Sequence, residues 1–127
     1  MTKNEERLLT DTELELMNIM WGIGEGTVRD VMDHLPKERD LAYTSVSTIL
    51  RILEKKSVLL SRKSGKSHIY TPIVEKEEYQ KRGLQHMVAS VFSGAPSQLV
   101  KTLLDTEKLG EEELKEIKKL ISKRIKS

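Results

Sequence analysis

Apolar residues recur every three or four positions along most of the chain, which is the spacing of amphipathic helices. In the first run, LTDTELELMNIMWGIGEG, Thr10 followed three residues later by Glu13 predicts a capping box at the helix start, and the glycines predict its end. Trp21 closes the apolar part of this run, so we expect a core residue rather than a ligand platform. The next run, TVRDVMDHLP, predicts a short second helix with Thr27 as N-cap and Pro36 as its stop.

The run LAYTSVSTILRILEKK, residues 41–56, predicts a third helix with two different faces. Its core face carries Val46, Ile49, Leu50 and Leu53. The opposite face carries short hydroxyl side chains followed by cations: Thr44, Ser47, Thr48, Arg51 and Lys55. Ser and Thr are poorer helix formers than the Glu and Lys of an ordinary solvated face, but they are short enough to let a helix approach base edges and phosphates. The pattern favours a DNA-reading helix; the alternative is a helix that packs this small face on another helix.

The period changes in SVLLSRKSGKSHIYTP, where two β-prone runs flank the Gly-containing segment RKSGKS. This pattern predicts a hairpin with a basic tip that contains Arg62, Lys63 and Lys66. Such a tip is either a solvated loop or a wing that grips DNA, and its place directly after the hydroxyl-faced helix favours the wing. Three helices followed by a hairpin is the order of a winged helix-turn-helix. We therefore expect a mainly α chain with a winged-helix domain at residues 1–73.

Residues 74–127 return to the helical period, with three short apolar stripes. Such a segment buries too little surface to offset its chain entropy alone, so we expect a helical dimerisation domain whose partner is a second copy of the chain. The alternative is a monomeric helical cap that folds back on the first domain. The residues expected at the dimer interface are Leu84, Met87, Val88, Val91, Phe92, Leu99, Val100, Leu103, Leu114, Ile117 and Ile121.

The charge is distributed unevenly, although the net charge of the chain is only +2. Residues 1–40 hold 5 Lys or Arg against 10 Asp or Glu, whereas residues 41–72 hold 6 against the single Glu54. A local basic block of this kind is typical of phosphate contact, and double-stranded DNA is the expected partner.

The composition excludes several other functions. The chain has no cysteine, which excludes disulfides, thiolate metal sites and a cysteine nucleophile, and fits a reducing cytoplasm. No apolar run is long enough to span a membrane, and the start MTKNEER does not resemble a signal peptide, so a soluble cytoplasmic protein is expected. His34, His68 and His86 have no metal-ligand spacing, and no phosphate-binding glycine loop is present. We expect no cofactor, no metal and no catalytic activity, although a Ser-His-Asp arrangement forms only in space and a single sequence does not test it.

Four segments resemble the penicillinase-repressor family of the BlaI, MecI and CopY type, in the family's order and spacing. They are IMW, LAYTSVSTILRILEKK, SGKSHIYTP and FSGAPSQLVKTLLDTEKLGEEEL, and the likeness runs from Leu9 to Lys123. The resemblance implies a winged-helix domain, a dimerising helical domain and repression at a two-fold symmetric operator, in genes for antibiotic resistance or stress responses. The DNA-binding residues that it implies are Tyr43, Thr44, Ser45, Ser47, Thr48 and Arg51 on the helix, and Arg62, Lys63, Gly65 and Lys66 on the wing.

The chain departs from the family pattern at several places. Ile52 and Ser57 stand where members usually have Arg and Gly. The antibiotic-responsive members are cleaved at an Asn-Phe bond, and the corresponding pair here is Thr102-Leu103, so the resemblance does not imply regulated cleavage. A thiolate copper switch is excluded because there is no cysteine. The sequence therefore names neither the operator, the regulated genes, the upstream sensor or protease, nor the inducing signal. A protein-interaction module and a repressor gated by a small ligand stay open as alternatives.

Overall fold

The computed structural model describes residues 8–127, and the opening segment MTKNEER, predicted not to be a signal peptide, lies outside these residues. The described chain contains the expected three helices, a hairpin and three further helices. Their bounds are α1 Asp11–Ile23, α2 Val28–Asp33, α3 Tyr43–Lys55, β1 Leu59–Ser64, β2 Ser67–Pro72, α4 Lys76–Ser90, α5 Pro96–Thr106 and α6 Glu111–Lys126. The predicted mainly helical fold class with a winged helix-turn-helix is confirmed. By its contacts the chain divides into two compact units between Gln85 and His86, inside α4.

Two capping boxes fix the starts of α1 and α2. The Thr10 hydroxyl accepts a hydrogen bond from the Glu13 amide, and the Glu13 carboxylate accepts one from the Thr10 amide. Thr27 and Asp30 repeat this arrangement at the start of α2. The predicted stop at Pro36 is late, because α2 ends at Asp33 with His34 as its C-cap.

The core of the first unit lies between α1, α2, α3 and the hairpin. Its buried residues are Leu16, Met17, Met20, Val28, Val31, Val46, Leu50, Leu53, Leu59 and Tyr70. Met32 and Leu35 pack against this core from its edge. Trp21 does so as well, so the expectation of a core residue is confirmed, with the indole partly buried.

The hairpin has a tighter turn than the sequence indicated. β1 and β2 are antiparallel with Ser64 opposite Ser67, which leaves only Gly65 and Lys66 in the turn. Gly65 has φ +61°, as the first central residue of a type II′ turn requires. A third segment joins the sheet through Gly26, whose N–H and C=O both bond to Tyr70 at 3.0 and 2.8 Å. A Cβ on Gly26 would lie 2.8 Å from Cδ1 of Ile23 and 3.0 Å from Cβ of Asp30, so a larger residue here would have to shift these side chains.

The first turns of α4 pack on α1. The Trp21 indole N–H donates to the carbonyl of Val74 at 2.9 Å, and its ring packs on Tyr79 with centroids 5.9 Å apart. The Tyr79 hydroxyl accepts a hydrogen bond from the Leu9 amide at 3.1 Å. The start of α4 therefore belongs to the first compact unit, which ends at Gln85. The sequence pattern instead predicts that the second domain begins at residue 74.

The second unit, residues 86–127, contains the end of α4 and the helices α5 and α6. Pro96 stands at the first turn of α5. Helix α6 begins with three glutamates and ends with Lys123, Arg124 and Lys126, an arrangement that matches the helix dipole. Val91 and Phe92 follow the end of α4 rather than extending it. None of the residues 86–127 is buried within the single chain. Across residues 8–127, no helix has the length and apolar character needed to cross a bilayer.

Candidate nucleic-acid interface

The two faces of α3 differ as the sequence predicted. Val46, Leu50 and Leu53 are fully buried, and Ile49 packs against the core. Ser47 is half-buried on the opposite side, and the remaining predicted reading residues there are exposed: Tyr43, Thr44, Ser45, Thr48, Arg51 and Lys55. Thr44, Ser45 and Thr48, together with Ile49, line a shallow open groove of about 380 Å³. Because these hydroxyls are exposed, the alternative in which this face packs on another helix is not seen among residues 8–127.

The start of α3 differs from the starts of α1 and α2. Its N-cap is Ala42, whose side chain has no oxygen to accept a hydrogen bond from the first amides. In α1 and α2 the hydroxyls of Thr10 and Thr27 accept such a bond. The first amide N–H groups of α3 can therefore donate to an external acceptor. The positive end of the helix dipole adds to their attraction for an anion. Beside this end, the guanidinium carbon of Arg29 lies 5.7 Å from the centre of the Tyr43 ring. Arg29 is therefore a basic residue next to the start of α3, and the periodicity of α3 alone does not reveal it.

Arg51 lies next to the hairpin. Burial and the nearby carboxylate of Glu54 raise the pKa of the Tyr70 hydroxyl, while nearby Arg51 acts in the opposite direction. Glu54 is itself held by the hydroxyl of Ser61, which donates to it at 2.7 Å. Arg51 is thus an exposed cation of α3 that lies close to Tyr70 of β2.

The wing cations do not form a single basic tip. Arg62 lies opposite Ile69, and Lys63 lies opposite His68. Because side chains alternate along a strand, Arg62 and Lys63 project from opposite faces of the hairpin. Lys66 lies in the turn, and all three cations are exposed.

Two of the six cations in the basic block are paired with glutamates from earlier in the chain. The Lys56 ammonium lies 2.7 Å from Oε2 of Glu13, with these side chains only 19% and 8% exposed. Burial opposes the ionisation of Glu13, but the hydrogen bonds from Lys56 and Thr10 outweigh it and hold the pKa of the carboxyl below its usual value. Arg62 forms the second pair, with Glu25: its bond and charge lower the pKa of Glu25, and Glu25 in turn raises the pKa of Arg62.

The histidines take structural positions. Nδ1 of His34 is 2.8 Å from the carbonyl oxygen of Asp30, within α2 and its C-cap. The nearby Thr27 amide and hydroxyl hold the pKa of the Asp30 carboxyl below its usual value. His68 lies on β2 and His86 on α4. Within residues 8–127, no cluster of three or more acidic or histidine side chains is arranged to hold a metal ion.

The model of the penicillinase repressor family matches residues 9–123, nearly the whole chain. The chain belongs to the penicillinase repressor family. This repressor is 25% identical over 113 residues to the penicillinase repressor of Bacillus licheniformis, covering 89% of this chain and 88% of the relative. It is 22% identical over 121 residues to the methicillin resistance regulatory protein MecI of Mammaliicoccus sciuri, covering 95% of this chain and 98% of the relative.

Two further comparisons each cover a little more than half of this chain. The transcriptional regulator BlaI of Mycobacterium tuberculosis is 39% identical over 71 residues, covering 55% of this chain and 51% of the relative. The solution structure of the DNA-binding domain of the repressor BlaI is similar with a TM-score of 0.50 and 30% identity, covering 56% of this chain and 87% of that one. This family member is therefore a DNA-binding transcriptional repressor with a winged-helix domain, and not an enzyme.

Proposed function

We propose that this repressor binds a pseudo-palindromic operator as a homodimer, with α3 of each protomer in a major groove and each wing on the sugar-phosphate backbone. The observation that carries the proposal is the exposed hydroxyl face of α3, with its uncapped start at one end and Arg51 and Lys55 towards the other. Hydroxyls and the Arg fork are suited to base edges in the major groove, and amides at a helix start are suited to phosphate. Two α3 helices in successive grooves lie about one helical turn apart, which requires a two-fold related sequence.

Within this proposal the side chains have different tasks. Thr44, Ser45 and Thr48, with Ser47 beside them, approach the bases, and Arg51 reads guanine or holds a phosphate. On the wing, Lys63 and Lys66 hold phosphates without reading sequence. Gly65 lets the hairpin turn tightly enough for the wing to approach the backbone.

The homodimer is supported by the second unit. Large apolar side chains on its helices are exposed in the single chain, among them Met87, Val91, Leu103, Ile121 and Ile125. Val88, Phe92, Leu99 and Ile117 are half-buried, and none of the residues 86–127 is buried. A second copy offers the same stripes in two-fold symmetry and would remove this surface from water.

The position that corresponds to the family's cleavage site is the pair Thr102-Leu103. Thr102 and Leu103 lie inside α5, where the peptide bond belongs to a regular helix. A protease that cut there would first have to unwind that turn, and the pair is not Asn-Phe. Regulated cleavage is therefore no part of the proposed mechanism.

A repressor works in the compartment that contains its operator, which in the organisms of the relatives named above is the cytoplasm.

Selection of bound duplexes from a random pool, with sizing of the complex, tests the proposal. We expect one inverted repeat to be enriched by a complex that contains two chains. Enrichment of a single half-site by one chain would contradict the dimer. Absence of any enrichment would contradict sequence-specific reading by α3.

The dimer is tested separately by charge substitution. Leu103→Glu combined with Ile121→Glu should yield monomers in sedimentation experiments and weaken operator binding, because two buried carboxylates at an apolar interface are costly. Lys101→Glu combined with Ser122→Glu places the same new groups on exposed polar positions of the same helices and should leave the dimer intact. Dimers that persist in the first variant would show that another surface holds the copies together.

A further inference from the structure

Arg62 of the wing is engaged by a carboxylate within its own chain. Its Nη1 and Nη2 lie 3.2 and 3.0 Å from Oε1 and Oε2 of Glu25, so that two parallel hydrogen bonds join guanidinium and carboxylate. Both side chains remain about half exposed, 56% for Arg62 and 51% for Glu25. The pair therefore stands at the exposed surface of the wing.

Backbone geometry places Glu25 at this position. The next residue, Gly26, is held to Tyr70 by two backbone hydrogen bonds that form a single β-bridge, so Glu25 lies beside β2. Alternation along the backbone puts Glu25, Thr71 and Arg62 on the same face, opposite to that of Tyr70. Thr71 lies near the Glu25 carboxylate and, after Arg62, helps to lower its pKa. The contact is thus built by the sheet and does not depend on a chance encounter of two long side chains.

The carboxylate of Glu25 offers Arg62 the same two-oxygen acceptor that a DNA phosphate offers. Arg forms paired hydrogen bonds with both groups, and the Nη1–Nη2 edge that Glu25 occupies can hold only one of them at a time. Lys63 and Lys66 form no ion pair with any acidic residue among residues 8–127. A phosphate that takes this edge of Arg62 must therefore displace Glu25, and one that approaches the Nε side meets the negative charge of Glu25, whereas a phosphate that reaches either lysine displaces only water and ions.

We propose that Glu25 is an internal competitor for the DNA backbone, which occupies Arg62 in the free repressor and lowers its affinity for duplex DNA of any sequence. This inference rests on the proposed DNA contact of the wing. By this inference Glu25 helps to set the affinity for DNA. Its own charge is negative, like that of DNA, and the residue lies outside both α3 and the hairpin.

Glu25→Gln tests the competition, because glutamine keeps the shape of the side chain and removes its charge. The full-length repressor is titrated against a random-sequence duplex about two helical turns long, at about 50 mM salt, where backbone contacts dominate. An exposed ion pair shifts an equilibrium by up to about fivefold, so we expect binding tighter by about twofold to fivefold for each wing that contacts DNA. Circular dichroism and thermal unfolding check that the variant is folded, and Glu25→Ala repeats the test if it is not.

The matched control is the same substitution in the Arg62→Ala background. If Glu25 acts by occupying Arg62, the gain disappears there, and the two substitutions couple in a double-mutant cycle. A gain that persists without Arg62 would reflect the loss of one negative charge and would overturn the inference. Unchanged or weaker binding by folded Glu25→Gln would also overturn it, since the pair would then only support the wing. A wild-type repressor that binds no duplex under these conditions would instead defeat the proposed function itself.

Discussion

The ammonium of Lys56 lies 2.7 and 2.9 Å from the two carboxylate oxygens of Glu13. This pair joins Lys56, the C-cap of α3, to Glu13, the capping-box partner of Thr10 in the first turn of α1, and both side chains are largely withdrawn from water. One carboxylate therefore contacts both the start of α1 and the end of α3.

Replacing Glu13 with Gln should lower the free energy of unfolding by about 2 kcal/mol, because it breaks a largely buried ion pair and weakens the capping box. Urea denaturation followed by circular dichroism measures the loss. Glu15→Gln is the matched control, since Glu15 pairs with Arg39 on a more exposed part of the same helix, and its cost should stay below about 0.5 kcal/mol. Equal losses in the two variants would contradict the special role of Glu13.

The pH dependence of stability should differ between wild type and Glu13→Gln. The pKa of Glu13 is lowered in the folded chain, so its contribution is fully present above the unfolded value of about 4.3 and is lost as pH falls through the folded value. Acid titrations of the unfolding free energy should therefore start to converge for the two proteins as the pH falls below about 4.3, and should meet below the folded pKa of Glu13. Curves that stay parallel down to the acid limit would show that the Glu13 charge does not contribute.

Arg51 and Lys66 should behave differently when each is replaced with Ala. Arg51→Ala should cost about 1 to 3 kcal/mol on the selected operator and relax the preference at one position, if Arg51 reads a base. Lys66→Ala should weaken all duplexes alike and make the slope of log affinity against log salt shallower by about 0.9. Titrations of both variants against the operator and a scrambled duplex measure the contrast. If both substitutions left affinity and preference unchanged, the assignment of the DNA-facing surface would be wrong.

The uncapped start of α3 offers a test of the phosphate contact there. Ala42→Ser and Ala42→Asp should both stabilise the folded chain by about 1 kcal/mol, because each supplies the missing N-cap acceptor. Only Asp adds a negative charge, so Ala42→Asp should also weaken DNA binding severalfold more than Ala42→Ser. Thermal unfolding and DNA titration of the same two samples separate the effects. Equal DNA affinities would show that the start of α3 stays away from the backbone.

Ser57 adopts φ +63° between α3 and β1, in the left-handed region that favours glycine. Ser57→Gly should raise the free energy of unfolding by about 0.5 kcal/mol, since the relief of backbone strain exceeds the added chain entropy. The control Ser45→Gly, at an exposed position inside α3, should lower it by a similar amount. A destabilised Ser57→Gly protein would show that the serine side chain stabilises this turn by contacts of its own.

Local patterns predicted most of the fold. Thr10 and Glu13 marked the start of α1 because a capping box is complete within four residues, and the spacing of Val46, Leu50 and Leu53 identified the core face of α3. The position of Ser57 was also visible, because it stands where family members usually have glycine.

The ion pairs across the first unit could not be predicted in the same way. Glu13 and Lys56 are 43 positions apart, and Glu25 and Arg62 are 37 apart, so each pair exists only after the elements have packed. In the sequence, Lys56 and Arg62 are recognisable only as cations of the basic block. The sequence also predicts one basic tip that contains both Arg62 and Lys63, and only the register of the hairpin shows that these side chains project from opposite faces.

Trp21 is the one tryptophan of the chain. It lies on α1 and contacts the segment that joins β2 to α4. Its indole is hydrogen-bonded to Val74 and packs on Tyr79, so its fluorescence senses a single, known environment. The unlabelled protein thus contains an optical reporter of this junction. Any rearrangement of the junction, on binding DNA or on induction, would appear as a change in emission that needs no engineered probe to assign.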